Sequence, residues 1–504
     1  MRHIAYLLWV LSVPSVCAQS TFSSTNLHPL DEPANAVAVR QYGDSLIVFT
    51  HKLAYDGSAV NVFTEGYGPD GSLLWEKRHT TARAALFGYW DPISKAGPSG
   101  EFFGGMITVG SGQPDSLFLV RFDHKGDLEM RSYLAQDHDI VPRDVVRAGQ
   151  HIYTAFTRRD SVGAPSRAIV IRSDTLGNIL WEQEFPTLWA STFSIAVNQF
   201  EELYLTGYDN GALFPYRSRM LRCDTAGNIV WSQPFMSNWS GTSSHSAIAR
   251  KATFMDNGDP LVAGSCWDED GIGAAESEQF LLRLDRASGG KLWLSRFDTA
   301  VSEWANLDDV DLAMNGDILS CGYITPTDIY GFYGAIYRSS SAGTLLWKRR
   351  YRFLPGNNSL NFLNDVTELS DGSLALCGTT QLDVQFGTVI WVLKLDADGC
   401  LVPGCGSVDV IEIPLLSEAV VRMWPNPTSD LLQVEINPTN PSSAKLPIQY
   451  SIHTTSGQGQ QISGTLQPGL NAIATDRLAS GSYILMLHGS SPAVRSIHPF
   501  VVSR

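Results

Sequence analysis

Along the middle of the chain the apolar positions fall in short runs broken by polar turns, and no stretch sustains the 3.6-residue spacing of an amphipathic helix. Residues 194–235 show the pattern well. Ser194-Ile-Ala-Val197 and Leu203-Tyr-Leu-Thr-Gly207 read as two strands. Met220-Leu-Arg-Cys-Asp224, the turn Thr225-Ala-Gly-Asn228 and Ile229-Val-Trp231 complete a four-strand unit. Runs rich in β-branched and aromatic residues, separated by Gly, Asn and Asp, predict an antiparallel meander.

The meander recurs. Gly, three residues, then Trp is found as Gly71 to Trp75, Gly177 to Trp181, Gly227 to Trp231, Gly289 to Trp293 and Gly343 to Trp347. Degenerate copies run from Gly126 to Met130 and from Gly399 to Pro403, and the successive end positions lie 55, 51, 50, 62, 54 and 56 residues apart. A second marker, a polar turn followed by a short apolar strand, runs in phase with it, beginning near Gly43, Glu101, Gly149, Glu201, Gly258, Gly316 and Gly372. Two independent markers therefore count the same seven units. One meander buries too little apolar surface to stand alone, so the units must stack face to face, and repeats of this length with four strands each predict a seven-bladed β-propeller. Asp174 and Asp224 begin turns whose glycines tolerate positive φ. The recurrent Trp75, Trp181, Trp231, Trp293 and Trp347 are expected to pack blade on blade, and truncating one to Ala is expected to cost about 3–5 kcal/mol. With these residues in view, the segment from about 34 to 406 resembles bacterial β-propeller repeats of the quinoprotein-like and related secreted kinds, Leu284 to Trp293 being the nearest copy. The resemblance implies a shape and leaves function open.

Charge and cysteine usage narrow the partners and the compartment. With 36 Lys and Arg against 51 Asp and Glu, the net charge of -15 disfavours a nucleic-acid partner. Residues 1–18 read as a secretory signal: Arg2, the apolar run Ile4 to Val13, and small residues ending at Ala18. That run is too short to span a bilayer, so the mature chain is expected to carry no transmembrane segment. Cleavage leaves Cys223, Cys266, Cys321, Cys377, Cys400 and Cys405. Cys400 and Cys405 flank a Pro-Gly turn and are a disulfide candidate in an oxidising compartment; a metal pair is the weaker alternative, since no second pair with ligand spacing lies nearby. Cys321 and Cys377 hold matching strand positions and read as small buried thiols.

The expected domains are a signal peptide at 1–18, a propeller at 19–406, a linker at 407–417 and a C-terminal module at 418–504. Short alternating strands in the last segment fit a small immunoglobulin-like β-sandwich. Trp424-Pro425-Asn426-Pro427, Asp430 and the strand after it, Gly457, and the stretch from Leu478 through Gly481 to Tyr483 carry a resemblance to the type A C-terminal sorting domain of the type IX secretion system of Bacteroidota. The match departs in having Trp424 where Tyr is usual and Ser503-Arg504 at the end where Lys is more typical. The resemblance implies export through the periplasm to the medium or the outer cell surface, with the secretion machinery as a partner.

No linear catalytic signature is present: no His-Glu-x-x-His, Gly-x-Ser-x-Gly or Walker sequence occurs, and no vicinal cysteine pair is available to cap a quinone cofactor. No catalytic, cofactor or metal residues are assigned, and no cofactor is expected. Asp396-Ala-Asp398-Gly399 reads as a turn rather than a calcium loop. Asp308 and Asp309 are expected to precede an inner strand, near one channel mouth. Two functions remain. The first is a monomeric binding propeller that presents loop aromatics such as Tyr208, Phe214, Trp239, Tyr330 and Tyr333 to a protein or glycan. The second is a hydrolase or oxidoreductase with catalytic residues drawn from separate blades. Two or more carboxylates with a His or Arg in the channel would favour the second, and a sparsely polar channel the first.

Overall fold

The computed structural model describes most of residues 21–501 and the last residues to Arg504; outside the described set lie 1–20, 402–418, 439–447 and shorter connecting segments, with Asn426 and Gly457 among them. Every described regular element is a β-strand. The strands from Ala34 to Leu395, with Phe22–Asn26, form seven four-stranded antiparallel sheets. In blade order they span residues 34–78, 84–137, 139–185, 191–235, 245–297, 304–351 and 360–395. Seven apolar clusters each join one sheet to the next, and one of them joins the seventh to the first through Val392, Ile390, Val39 and Val48. The ring is closed. The chain is a seven-bladed β-propeller followed by a separate β-sandwich.

Closure differs from the sequence expectation in one respect. The described part of the degenerate copy, Gly399 to Leu401, forms a turn of blade 7, whose fourth strand is Phe22–Asn26, paired antiparallel with Thr388–Leu395 so that Phe22 lies opposite Lys394. Lacing the first strand of the ring to the last blade ties the two ends of the propeller together, so opening the seam must break a sheet as well as a packed face.

Two positive-φ positions per blade shape the turns of one end of the ring. The first set is Gly43, Gly100, Gly149, Glu201, Gly258, Gly316 and Gly372; the second is Gly71, Gly126, Gly177, Gly227, Gly289, Gly343 and Gly399. The second set has an additional reason to be glycine. A Cβ on Gly126, Gly289, Gly343 or Gly399 would stand within 3 Å of Trp75, Trp231, Trp293 or Trp347 respectively, and one on Gly71 would lie 2.5 Å from Phe22. In every blade but the second, an outer-strand aromatic thus lies under the tight turn of the next blade, with Phe22 taking the tryptophan's place in blade 7; in blade 2, Ser132 meets Gly177 instead. The indole N–H of Trp231 donates to the carbonyl of Arg286 at 3.1 Å, and that of Trp181 to Thr225 at 3.2 Å. The five tryptophans are half-buried rather than fully enclosed.

The C-terminal strands form one three-stranded and one four-stranded sheet, the latter ending in Val494–Val502, around a core that includes Leu432, Val434, Ile452, Leu485 and Phe500. Tyr483 is buried and donates to the carbonyl of Ala479 at 2.9 Å. Gly481 opens the strand that carries it. Trp424 and Pro427 are exposed, Trp424-Pro425 is a cis peptide, and Asp430 is exposed while its backbone carbonyl accepts from Thr475. Thr428, inside this motif, exchanges backbone bonds with Val501 and Ser503, so the final strand is stitched to the motif loop.

Candidate functional site

The innermost strand of each blade is a sheet edge, and its channel-side N–H groups have no partner within their own sheet. A β-bulge interrupts this strand in six blades, at Ala36/Ala38, Pro142/Asp144, Thr192/Ser194, Ala249/Lys251, Leu307/Asp309 and Leu363/Asp365. The residue just past the bulge often reaches to the next blade. Asp365 accepts from Val39 N at 2.6 Å, Asp144 from Ile195 N at 2.9 Å, Ser194 Oγ from Ala252 N at 3.2 Å, and Asp309 from Val366 N at 3.0 Å. These bonds form a girdle: a side-chain oxygen on one blade satisfies an edge amide on its neighbour.

Cations complete the girdle. Lys251, at the same position in blade 5, cannot accept a bond, and its Nζ lies 3.2 Å from both Asp144 oxygens, two blades back. Arg40 pairs with Asp365 at 2.6 Å and donates to the carbonyls of Ser94 at 3.2 Å and Ile93 at 2.5 Å, joining blades 7, 1 and 2. Beside these residues the channel holds a cavity of about 260 Å³, also lined by Lys95, Arg147 and Asp311. Lys95 Nζ meets Asp311 at 2.5 Å across the channel from blade 2 to blade 6, and Arg147 is paired with Glu101. Carboxylates and an arginine do share the channel, the condition set for a catalytic reading. They are committed to one another, as buried charges must be if they are not to cost several kcal/mol each.

The channel end away from the tight turns has a different character. Asp308 is the bulge residue of the strand Trp304–Leu312, so it lies within an inner strand and not in a loop before one. Burial pushes its carboxyl up to about 6, partly offset by the Arg250 guanidinium 3.9 Å away. The Asn306 amide donates to Asp308, while Asn306 Oδ1 and the nearby Gln279 Oε1 are buried with no hydrogen-bond partner among the described residues. Gln279 is held in place by donating to the carbonyls of Asn306 at 3.1 Å and Tyr323 at 3.2 Å. Next to this group stand three half-buried rings: Tyr323 lies 5.2 Å from Phe332 and 4.9 Å from Phe362, and Phe332 lies 5.1 Å from Phe362. Tyr323 is electrostatically coupled to Asp308 and Arg250, and burial, the Asp308 charge adding to it, pushes its phenol up to about 12.

Of the loop aromatics expected to face a ligand, Tyr333 is buried, its OH taking a bond from Arg352 at 3.3 Å, because it opens the third strand of its blade rather than lying in a loop. Phe214, Trp239 and Tyr330 lie outside the described residues, as does the side chain of Tyr208. Cys400 is disulfide-bonded; Cys405 lies outside the described residues. Cys223, Cys266, Cys321 and Cys377 are buried free thiols. Asp396 is a turn residue whose Oδ1 accepts from Asp398 N at 3.0 Å and Cys400 N at 2.7 Å. Among the described residues no three or more His, Cys, Asp or Glu side chains converge so as to hold a metal ion, and no helix is long and apolar enough to cross a membrane.

No family model and no curated protein matches the chain. Solved structures do. The acylaminoacyl peptidase of Pyrococcus horikoshii is 10% identical, with 80% of this chain matched to 58% of that one at a TM-score of 0.42. Puromycin hydrolase is 13% identical over 81% of this chain and 59% of its own, at a TM-score of 0.46. The α-L-arabinanase of Penicillium chrysogenum is 11% identical over 62% of this chain and 99% of its own, at 0.40. The chain thus spans about three fifths of the length of the first two, at 58% and 59%. At such scores none of the three bears on what this chain does.

Proposed function

We propose that the protein is an exported or cell-surface binding propeller, delivered by its C-terminal module through the type IX secretion system, and that its ligand meets the channel end that carries Asp308, Arg250 and the Tyr323, Phe332 and Phe362 rings. One observation supports binding over chemistry above the others. The channel carboxylates Asp144, Asp309 and Asp365 each accept a backbone amide of the next blade, so they serve as structural acceptors. A general acid or base needs a free proton-transfer site within reach of a substrate. Two buried acceptors without hydrogen-bond partners among the described residues, Asn306 Oδ1 and Gln279 Oε1, lie at the proposed end. A hydrolase or oxidoreductase is the alternative, and Asp308 favours it: a carboxyl titrating at about 6 is suited to donating a proton near neutral pH.

The delivery half of the proposal rests on the resemblance of residues 418–504 to the sorting domain, including Trp424, Pro425, Asn426, Pro427, Asp430, Gly457, Gly481 and Tyr483. Its test is fractionation of a producing cell after deletion of 418–504. Periplasmic retention of a folded propeller is the expected result, and unchanged appearance outside the cell overturns it. The binding half is tested by screening the purified chain against glycans and protein extracts. Capture that survives in Asp308→Asn favours binding, and turnover of a bound compound that is lost in Asp308→Asn favours the alternative.

A further inference from the structure

We infer that the channel mouth at the tight-turn end, opposite the end that carries Asp308, is a second site, for a small zwitterion of the free α-amino acid class. The cavity of about 260 Å³ at that mouth is below the roughly 300 Å³ at which pockets for drug-sized ligands begin, so its occupant is a small solute. Its wall is set by strand register. In each of the six blades with a bulge, the cavity is lined by the residue two places beyond the one just past the bulge: Arg40, Val146, Ala196, Thr253, Asp311 and Thr367. Blade 2 adds Lys95, beside the Ile93–Gly104 bridge that prolongs its inner strand. In blade order Asp311 falls between the half-buried Thr253 and Thr367, while Val146 and Ala196 form an apolar stretch next to Lys95.

Lys95 sets its pair apart from the other channel charges. Its side chain is 74% exposed, against 9% for Arg40, 10% for Arg147 and 14% for Lys251, each of which is held by a carboxylate. Water screens the Lys95 ammonium, so its bond to Asp311 is weak and a solute can open it. Asp311 is different: its side chain is 12% exposed, and the amide of Leu312 donates to its Oδ1 at 2.9 Å and holds it in place. Once Lys95 leaves, this carboxylate needs a new counter-charge, and the released ammonium needs an anion. An anion alone would strand Asp311. A cation alone would be repelled by Lys95 and by the Arg40 and Arg147 guanidiniums lining the same cavity. An α-amino acid meets both demands: its ammonium replaces Lys95 on Asp311, with the threonine hydroxyls as further acceptors, and its carboxylate takes Lys95. A small apolar side chain then faces Val146 and Ala196.

The test is titration calorimetry of the full-length chain with glycine, L-alanine, L-serine and L-valine, and with N-acetyl-L-alanine and L-alanine methyl ester as probes that each lack one charge. At least one free amino acid is expected to bind, and both single-charge probes to bind tenfold or more weakly than L-alanine. Lys95→Gln and Asp311→Asn are each expected to lower affinity tenfold or more. Lys95→Gln, altering an exposed side chain, is expected to keep the parent's melting midpoint, so its loss of binding does not report misfolding. Binding of none of the four amino acids overturns the site and leaves Lys95–Asp311 as a strut between blades 2 and 6. N-acetyl-L-alanine or the methyl ester binding as well as L-alanine overturns the zwitterion assignment. Amino-acid binding that is unchanged in Lys95→Gln, or is lost in Asp308→Asn, overturns this location; binding retained in Asp308→Asn supports a mouth distinct from the far end.

Discussion

Asp365 is where the ring's seam and its girdle meet. It is 2% exposed, and its Oδ2 accepts from both Val39 N and Arg40 Nη1 at 2.6 Å. Arg40 is 8% exposed, so the pair is buried on both sides. Asp365→Ala removes the acceptor of a buried amide and a counter-charge of a buried guanidinium together. Removing one partner of a buried ion pair costs about 3–5 kcal/mol, and stranding an amide contributes to the same total. We therefore expect a loss of about 4 kcal/mol. At roughly 2 °C per kcal/mol, or somewhat less for a domain this long, the thermal midpoint should fall by about 5–8 °C. Asp365→Asn keeps an oxygen for Val39 and loses only the charge, so it should fall between the parent and the alanine variant. Calorimetric melting of the three proteins decides the matter. A midpoint within about 1 °C of the parent for Asp365→Ala would refute the view that the channel carboxylates hold blades together.

Two further outcomes follow from the same geometry. Because Trp231 is half-buried on an outer strand, with its N–H in the next blade's turn, Trp231→Ala should cost about 2–3 kcal/mol, less than a fully enclosed ring, as read from denaturant unfolding; no change at all would contradict the packing under Gly289. Burial lowers His51 and His79 to about 4, below the ordinary value of an unfolded histidine, so each contributes stability that is complete above about pH 6.5 and lost as pH falls from there through 4. Asp308 runs the opposite way: its raised carboxyl, at about 6, contributes stability present below its unfolded value of about 4 and lost as pH rises through 6. Unfolding midpoints measured from pH 7.5 to 4 should thus decline, and His51→Gln should flatten the decline; a slope unchanged by that substitution would show that His51 is not held neutral in the fold.

Much of the ring was legible because its markers are local. The Gly-x-x-x-Trp motif joins a turn that needs positive φ to an aromatic that fills the adjoining seam, and both demands fall within five residues of sequence. The seventh outer strand was not legible, since Phe22 meets Gly71 and Lys394 from the far end of the chain and no spacing rule links them. Glu201 was legible as a repeat position but its backbone was not: it sits at φ 58 where the other blades use glycine. The girdle left a signal that went unread: Asp144-Val145, Ser194-Ile195, Asp309-Val310 and Asp365-Val366 recur in phase with the other two markers. Short polar residues inside an inner strand look like interruptions until the channel edge is known to need acceptors. The open-end cluster is less legible still, because Arg250, Asn306, Tyr323 and Phe362 come from four strands of three blades.

Closure of the ring by its own first strand is the claim on which the propeller reading most depends, and hydrogen exchange of the native chain tests it directly. Amides of Phe22–Asn26 that pair with Thr388–Leu395 should exchange orders of magnitude more slowly than an open chain, and Phe22→Ala should speed exchange in both segments together. Exchange of Phe22–Asn26 at the open-chain rate, with Thr388–Leu395 still protected, would contradict closure by that strand.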